Sequence, residues 1–166
     1  MNPIHVIGRK NHGKTTLIVD LVGRLNEQGV RVGTIKHTSH AHELDTPGKD
    51  SHRHRVAGAS PAAIVSDGLV ALYIQRNLDT DCYDQLAPLF SDCDLVLVEG
   101  HSGSPAVKVE VWRREAGGPP LALARDDVAA VITDDPIETD APVWPRSDLA
   151  ALARHVLALL HPGSRP

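Results

Sequence analysis

Residues 8–15 read Gly8-Arg9-Lys10-Asn11-His12-Gly13-Lys14-Thr15, and Thr16 follows directly. Two glycines, a lysine and a hydroxyl residue at these offsets form a Walker A phosphate-binding loop. The apolar run at 3–7 predicts a buried strand before the loop, and the apolar spacing over 14–28 predicts a helix after it. A strand, a glycine loop and a helix in this order are the setting that the motif requires.

The residue types of this loop indicate its chemistry. Glycines let the backbone curl so that successive N–H groups point at phosphate oxygens, and the helix N-terminus adds a partial positive charge. We expect Lys14 to reach the β- and γ-phosphates and the Thr15 hydroxyl to ligate Mg²⁺. The sequence therefore predicts that residues 8–16 bind a nucleoside triphosphate.

Composition limits the class of protein. The chain has 166 residues, which predicts one domain over 1–161 with a C-terminal tail at 162–166. It has no apolar run near ~20 residues and no visible secretory leader, so we expect neither a membrane span nor secretion. Cys82 and Cys93 lack zinc-site spacing, and we expect them to be reduced thiols of a cytoplasmic protein.

The charge is unevenly distributed. The net charge is −4, but residues 1–60 hold nine Lys and Arg against five Asp and Glu. This basic part contains the phosphate loop, which favours a small anionic ligand. No basic stripe with interleaved aromatic residues is present, so nucleic acid is not expected as a partner.

Strands alternate with helices along the chain, which predicts an α/β protein with a doubly wound, mostly parallel sheet and a P-loop NTPase fold. The turn signal Asp67-Gly68 predicts an antiparallel hairpin over 62–75, which suggests that the sheet is mixed. Alternation over 106–112 predicts a half-exposed strand, and Ser147 is expected to cap the final helix.

Ligands of such folds lie at the carboxyl ends of the strands. Glu99 follows the apolar run 95–98, and beside a phosphate loop we expect it to hold Mg²⁺ directly or through water, with a solvated glutamate at a strand end as the alternative. Lys36 ends the second predicted strand in the same way.

The segment 37–55 follows Lys36 and is rich in charged and titratable residues. They are His37, His40, His42, Asp45, Asp50, His52, Arg53, His54 and Arg55. Three interpretations stay open: a transition-metal site, a loop that closes over the nucleotide and a second anion, or a solvated loop. Under the second, we expect Arg53 and Arg55 to be exposed and to bind anions.

Five stretches together resemble the MobB family, the molybdopterin-guanine dinucleotide biosynthesis proteins B. They are the phosphate loop through Leu17, Thr34-Ile35-Lys36-His37, Asp45-Thr46-Pro47-Gly48-Lys49-Asp50-Ser51, Ala57-Gly58-Ala59 and Leu97-Val98-Glu99-Gly100. The resemblance covers nearly the whole chain. It implies a homodimeric adaptor that binds GTP and assists the guanylyltransferase attaching GMP to molybdopterin, with at most slow GTP hydrolysis.

The resemblance also implies a set of metal ligands. In related P-loop proteins, the loop hydroxyl, an aspartate after the second strand and a strand-end glutamate share the Mg²⁺. By position these are Thr15, Asp50 and Glu99, with Asp45 as a substitute for Asp50. Arg9 is a conceivable transition-state finger.

Guanine recognition departs from the usual pattern of GTP-binding relatives. Their Asn-Lys-x-Asp is absent after the late strand, where Thr133-Asp134-Asp135 stands instead. Asp134 or Asp135 could accept two hydrogen bonds from guanine N1 and N2, or could form a capping turn. Two other functions stay open: a phosphotransferase or ligase whose acceptor binds Lys36 and the 37–55 segment, and a metallochaperone that uses the histidines.

Overall fold

The computed structural model describes residues 1–38 and 43–160. They divide into two compact units, one formed by 1–38 and 89–160 and the other by 43–88. Each unit is described by itself. The single domain expected over 1–161 stays a prediction, and the expected tail at 162–166 lies outside the described residues.

The helices and strands follow one another in the order that an α/β protein requires. They are β1 (Pro3–Ile7), α1 (Lys14–Asn26), β2 (Val32–Lys36), α2 (Asp50–Val56), β3 (Ala62–Val65), β4 (Val70–Tyr73), α3 (Cys82–Leu86), β5 (Leu95–Glu99), β6 (Lys108–Val111), β7 (Val128–Ile132), β8 (Val143–Trp144) and α4 (Leu149–Ala158). Short 3₁₀ turns lie at Ala87–Phe90, Arg114–Ala116 and Leu121–Ala124.

The first unit is built on a six-stranded sheet in the order β2-β5-β1-β6-β7-β8. All five strand pairs are parallel, so the carboxyl ends of the strands meet at one edge. The phosphate loop leaves the sheet at this edge, directly after β1. The register places Lys36 of β2 opposite Glu99 of β5, and Glu99 opposite Val6 of β1.

Two helices cover one face of the sheet. Leu17, Leu21 and Leu25 of α1 recur every fourth residue and therefore lie on one side of the helix, and all three are fully buried. They share one apolar cluster with α4 and with strands β1, β5, β6 and β7. This core fixes the position of α1, and with it the phosphate loop, against the sheet.

Strand β6 corrects one expectation. Its alternation predicts a half-exposed strand, but all four residues are buried. Lys108 Nζ donates to Ala106 O at 3.1 Å and lies 2.9 Å from Asp127 Oδ2. Glu110 accepts the N–H groups of Leu121 and Ala122 at 2.7 and 2.9 Å. The half-exposed prediction is wrong because the polar side chains of this strand face protein groups instead of water.

The hairpin belongs to the second unit. Strands β3 and β4 pair antiparallel over Ala62–Val65 and Val70–Tyr73, as the Asp67-Gly68 turn predicts. Within the described part of the chain they form a separate two-stranded sheet. The suggestion of a mixed sheet is therefore wrong, because the hairpin lies in a unit with its own contacts and its strands bond to each other.

The final helix begins one residue later than expected. Asp148, not Ser147, is its N-cap, because the Asp148 side chain accepts the Ala151 N–H at 2.9 Å. Within residues 1–38 and 43–160, no helix is long and apolar enough to cross a membrane.

Candidate nucleotide-binding site

The backbone of the phosphate loop adopts conformations that few residues tolerate. Gly8 has φ of 139°, and a Cβ atom there would lie 2.4 Å from the Val111 carbonyl oxygen. Asn11 and Gly13 have φ of 68° and 88°, in the left-handed region. Leu17 then donates its N–H to the Gly13 carbonyl at 2.9 Å and begins the helical pattern of α1. The loop therefore closes against β6 and opens onto a helix N-terminus.

Lys14 is folded back over the loop that contains it. Its ammonium donates to the Gly8 carbonyl at 2.9 Å and to the Arg9 carbonyl at 2.7 Å. Burial lowers the pKa of Lys14, while the Glu99 carboxylate opposes that shift and Lys36 adds to it. The two carbonyls hold a positive charge at the phosphate loop.

Thr15, Lys36 and Glu99 come together at the carboxyl edge of the sheet. The Thr15 hydroxyl lies 3.0 and 2.9 Å from the two carboxylate oxygens of Glu99. The Lys36 ammonium contacts Glu99 Oε1. Glu99 is only 8% exposed, so this carboxylate is a partly dehydrated charge held by two donors. A hydroxyl and a carboxylate this close are oxygen ligands of the type that Mg²⁺ takes, so the residues present fit the ion.

His12 anchors the phosphate loop to the segment that follows β6. The ring is buried, and its Nδ1 accepts the Arg113 N–H at 3.0 Å. This geometry assigns the proton to Nε2, which donates to the Gly117 carbonyl at 3.2 Å. Arg9 Nε likewise donates to Pro119 O at 3.3 Å. Residues 113–119 therefore brace the loop, a role that the motif does not predict for either side chain.

Asp134 and Asp135 are engaged in local hydrogen bonds. Asp134 Oδ1 accepts from the Ser147 N–H at 2.9 Å and from its hydroxyl at 2.8 Å, and the backbone bond holds the pKa of Asp134 below its usual value. Asp135 Oδ2 accepts the Arg114 N–H at 2.8 Å. These contacts fit the capping-turn interpretation, while guanine recognition by either residue stays a prediction.

The two candidate aspartates of the second unit have different surroundings. Asp45 is 8% exposed, and its carboxylate accepts from the Ser51 hydroxyl at 3.1 Å and from the Thr46 N–H at 2.7 Å. Burial alone would raise the pKa of Asp45, but these hydrogen bonds and one from Tyr73 hold it lower. Asp50, in contrast, is exposed and only approaches Arg53, at 3.9 Å. Asp45 therefore serves the packing of its own unit.

Arg53 and Arg55 also differ. The Arg53 side chain is 74% exposed, as expected, but that of Arg55 is only 29% exposed. Arg55 contacts Glu43, lies 3.7 Å from Asp45 and sits 5.2 Å from the centre of the Tyr73 ring. The expectation that Arg55 is exposed is wrong, because two carboxylates and an aromatic ring of its own unit surround it, while anion binding by Arg53 and Arg55 stays a prediction.

The histidine-rich segment is only partly described. His40 and His42 lie outside the described residues. His37 stacks on His101 with ring centres 4.2 Å apart. In the part of the chain that the structure describes, no group of three or more His, Cys, Asp or Glu side chains is arranged to hold a metal ion. The transition-metal interpretation therefore gains no support from the residues that can be described.

Comparisons with known proteins identify the family. The family model MobB, molybdopterin guanine dinucleotide synthesis protein B, matches residues 4–134. The chain belongs to the MobB family. The molybdopterin-guanine dinucleotide biosynthesis adapter protein of Escherichia coli K12 is 36% identical over 149 residues, which cover 87% of this chain and 85% of that protein. The corresponding adapter protein of Haemophilus influenzae is 33% identical over 158 residues, covering 94% and 88%.

Solved structures agree with this assignment. The crystal structure of Bacillus subtilis MobB matches with a TM-score of 0.74 and 28% sequence identity, covering 99% of this chain and 100% of that one. The resemblance to MobB and the predicted α/β fold, with a mostly parallel sheet and an antiparallel hairpin, are confirmed.

The close approach of Gly8 to β6 generates a prediction. Gly8→Ala should lower the free energy of unfolding by about 2–4 kcal/mol, because the added methyl group meets a backbone carbonyl and φ is strained. Gly23→Ala is the matched control: it lies in α1 with nothing within 4 Å of its Cβ position. That variant should be more stable by about 0.5–1 kcal/mol. Urea unfolding measures both, and equal stability of the two variants would contradict the packing of the loop.

Proposed function

We propose that this MobB-family protein binds GTP with Mg²⁺ and acts as an adaptor for the guanylyltransferase that attaches GMP to molybdopterin. One observation carries the proposal: the phosphate loop is formed, with Lys14 over it and the Thr15 hydroxyl on Glu99. The relatives compared above are named adapter proteins, which favours an adaptor over a phosphotransferase or ligase.

In this proposal each residue of the site has a definite task. The N–H groups of residues 9–15 and the N-terminus of α1 bind phosphate oxygens, and Lys14 adds a positive charge. Thr15 and Glu99 hold the Mg²⁺, which neutralises phosphate charge when bound. Arg9 is hydrogen-bonded to Pro119, which agrees with at most slow hydrolysis. Asp134 or Asp135 contacts guanine through its carboxylate. The candidate atom is the oxygen outside the hydrogen bonds described above, Oδ2 of Asp134 or Oδ1 of Asp135.

Nucleotide binding is tested through Lys14. Lys14→Ala should abolish stabilisation of the protein by GTP, whereas the wild type should gain about 2.7 kcal/mol at 100 times the dissociation constant. Arg31→Ala is the matched control, because Arg31 is an exposed basic residue that precedes β2, at the opposite end of the sheet from the phosphate loop. Thermal-shift titrations with GTP and ATP measure the effect, and GTP should stabilise the wild type more than ATP.

The adaptor role has its own readout. Addition of the wild type to a guanylyltransferase, molybdopterin and GTP should raise the rate of GMP attachment, and Lys14→Ala should raise it less. Equal stabilisation of wild type and Lys14→Ala by GTP would refute the site. A transferase rate that does not respond to the wild type would refute the adaptor role while leaving the site intact.

We infer that Asp50, and not Asp45, is the candidate metal-ligating aspartate of the second unit. The support is the difference in surroundings: the Asp45 carboxylate is buried and hydrogen-bonded, whereas the Asp50 side chain is 91% exposed. An exposed carboxylate can bind a hard cation without breaking buried hydrogen bonds of its own unit.

Matched substitutions separate the two aspartates. Asp50→Asn should weaken the Mg²⁺ dependence of GTP binding without changing stability. Asp45→Asn should instead lower the free energy of unfolding by about 1–3 kcal/mol, because buried hydrogen-bond donors lose a charged acceptor. Calorimetric titration of GTP at several Mg²⁺ concentrations, together with thermal melts, measures both. The reverse pattern would make Asp45 the ligand.

We also propose that the protein is a homodimer formed through the hairpin. Strands β3 and β4 form a sheet of only two strands, yet apolar side chains on it are exposed, among them Val65, Leu69 and Val70. Two-stranded sheets are marginal on their own, and contiguous exposed apolar surface marks interaction sites. A second copy of the chain would cover this surface. We place the protein in the cytoplasm, in line with Cys82 and Cys93 as free thiols.

A charge on the hairpin should break the dimer. Val70→Asp should convert the protein to a monomer in sedimentation velocity at micromolar concentration, because a carboxylate would be buried in the interface. Val19→Asp is the control, since Val19 is an equally exposed valine on α1 of the other unit. If both variants sediment like the wild type, the hairpin is not the interface.

A further inference from the structure

The Glu99 carboxylate is already paired with a cationic side chain of the protein itself. Lys36 lies opposite Glu99 in the parallel register of β2 and β5, and its ammonium contacts Glu99 Oε1. The carboxylate is nearly buried, and among the described residues its other hydrogen-bonding side chain is the uncharged Thr15 hydroxyl. A buried carboxylate needs a positive partner, and Lys36 supplies it where a divalent cation would otherwise bind.

We propose that Lys36 is an exchangeable counter-ion: a divalent cation displaces its ammonium from Glu99, and the displaced ammonium then binds phosphate oxygens of the nucleotide. The inference rests on the proposed function, because it concerns the same site. The exchange adds a contact between Lys36 and phosphate that forms only after metal binding. Binding of the metal and binding of the nucleotide are therefore coupled.

The geometry allows the exchange. The Lys36 side chain is 65% exposed whereas that of Glu99 is 11% exposed, so the lysine is the partner that can move. A cleft of about 340 Å³ beside Thr15, Lys36 and Glu99 gives it room. An ammonium and a divalent cation repel each other, so a cation bound to Glu99 weakens the contact between Glu99 and Lys36.

The neighbouring lysine does not compete for this role. The Lys14 ammonium is held by the carbonyls of Gly8 and Arg9, 2.9 and 2.7 Å away. It approaches the phosphates from the loop whether or not metal is present. Lys36 is therefore the lysine whose position depends on the charge placed on Glu99.

The coupling must be reciprocal. If metal binding frees Lys36 for the nucleotide, nucleotide binding must in turn strengthen metal binding by the same factor. Removing the lysine side-chain charge should therefore have two opposite effects. The metal alone should bind more tightly, because nothing competes for Glu99, whereas the nucleotide with metal should bind less tightly.

Three variants of the full-length protein test this. Lys36→Met removes the charge and keeps the length of the side chain, and Lys36→Arg keeps the charge. Arg31→Met removes an equally exposed positive charge, 66% against 65% for the Lys36 side chain, that precedes β2 at the opposite end of the strand from the site. Mn²⁺ binding without nucleotide is measured by electron paramagnetic resonance. GTP binding is measured by calorimetry with Mg²⁺ and again with EDTA, and thermal melts verify folding.

Lys36→Met should bind Mn²⁺ at least about fivefold more tightly than Arg31→Met, and should lose at least about fivefold in GTP affinity with Mg²⁺. With EDTA its GTP affinity should match that of Arg31→Met, and Lys36→Arg should resemble the wild type throughout. Equal Mn²⁺ affinities of the two methionine variants, or an equal loss of GTP affinity with and without Mg²⁺, would overturn the exchange. Failure of the wild type to bind GTP would refute the proposed function instead, and the Mn²⁺ comparison would still decide the role of Lys36.

Discussion

A charge that is shielded from water must find its counter-charge within the protein, and Glu99 imposes that requirement on the site. Glu99 is the last residue of β5, at the edge of the sheet where the parallel strands have their carboxyl ends. The neighbouring strand delivers Lys36 by register, and the first turn of α1 delivers Thr15. The pairing of the strands and the start of the helix therefore bring two donors to a single carboxylate, and together they create the chemistry of the site.

A buried carboxylate of the second unit has a different set of partners. Asp45 is also nearly buried, but its partners are hydroxyl and amide donors from the same short stretch of chain, with Arg55 behind them. The nearby cation of Asp45, Arg55, is only 29% exposed. Glu99 differs because its cationic donor, Lys36, is 65% exposed. The contrast distinguishes the two buried carboxylates as candidate metal ligands.

Much of this could be predicted from the sequence, because local patterns have local causes. The glycine loop between an apolar run and a helical repeat predicts the phosphate site, and Asp67-Gly68 predicts the hairpin. Partners supplied by distant segments could not be predicted. The alternation of its strand predicts that Glu110 faces solvent, yet its carboxylate accepts hydrogen bonds from the backbone N–H groups of Leu121 and Ala122. One feature of the sequence indicates the turn that contacts His12, namely the pair Gly117-Gly118. These residues have positive φ values of 81° and 77°, which only glycine adopts readily.

The brace formed by residues 113–119 has a consequence for the entropy of ligand binding. A flexible loop that wraps a phosphate loses conformational freedom at the moment of binding, and affinity falls accordingly. Here the buried His12 ring and the Arg9 guanidinium tie the loop to a neighbouring segment through three hydrogen bonds. That loss of freedom has already occurred during folding of the chain. An arriving phosphate therefore meets N–H groups that are already oriented, and more of its interaction energy remains as affinity.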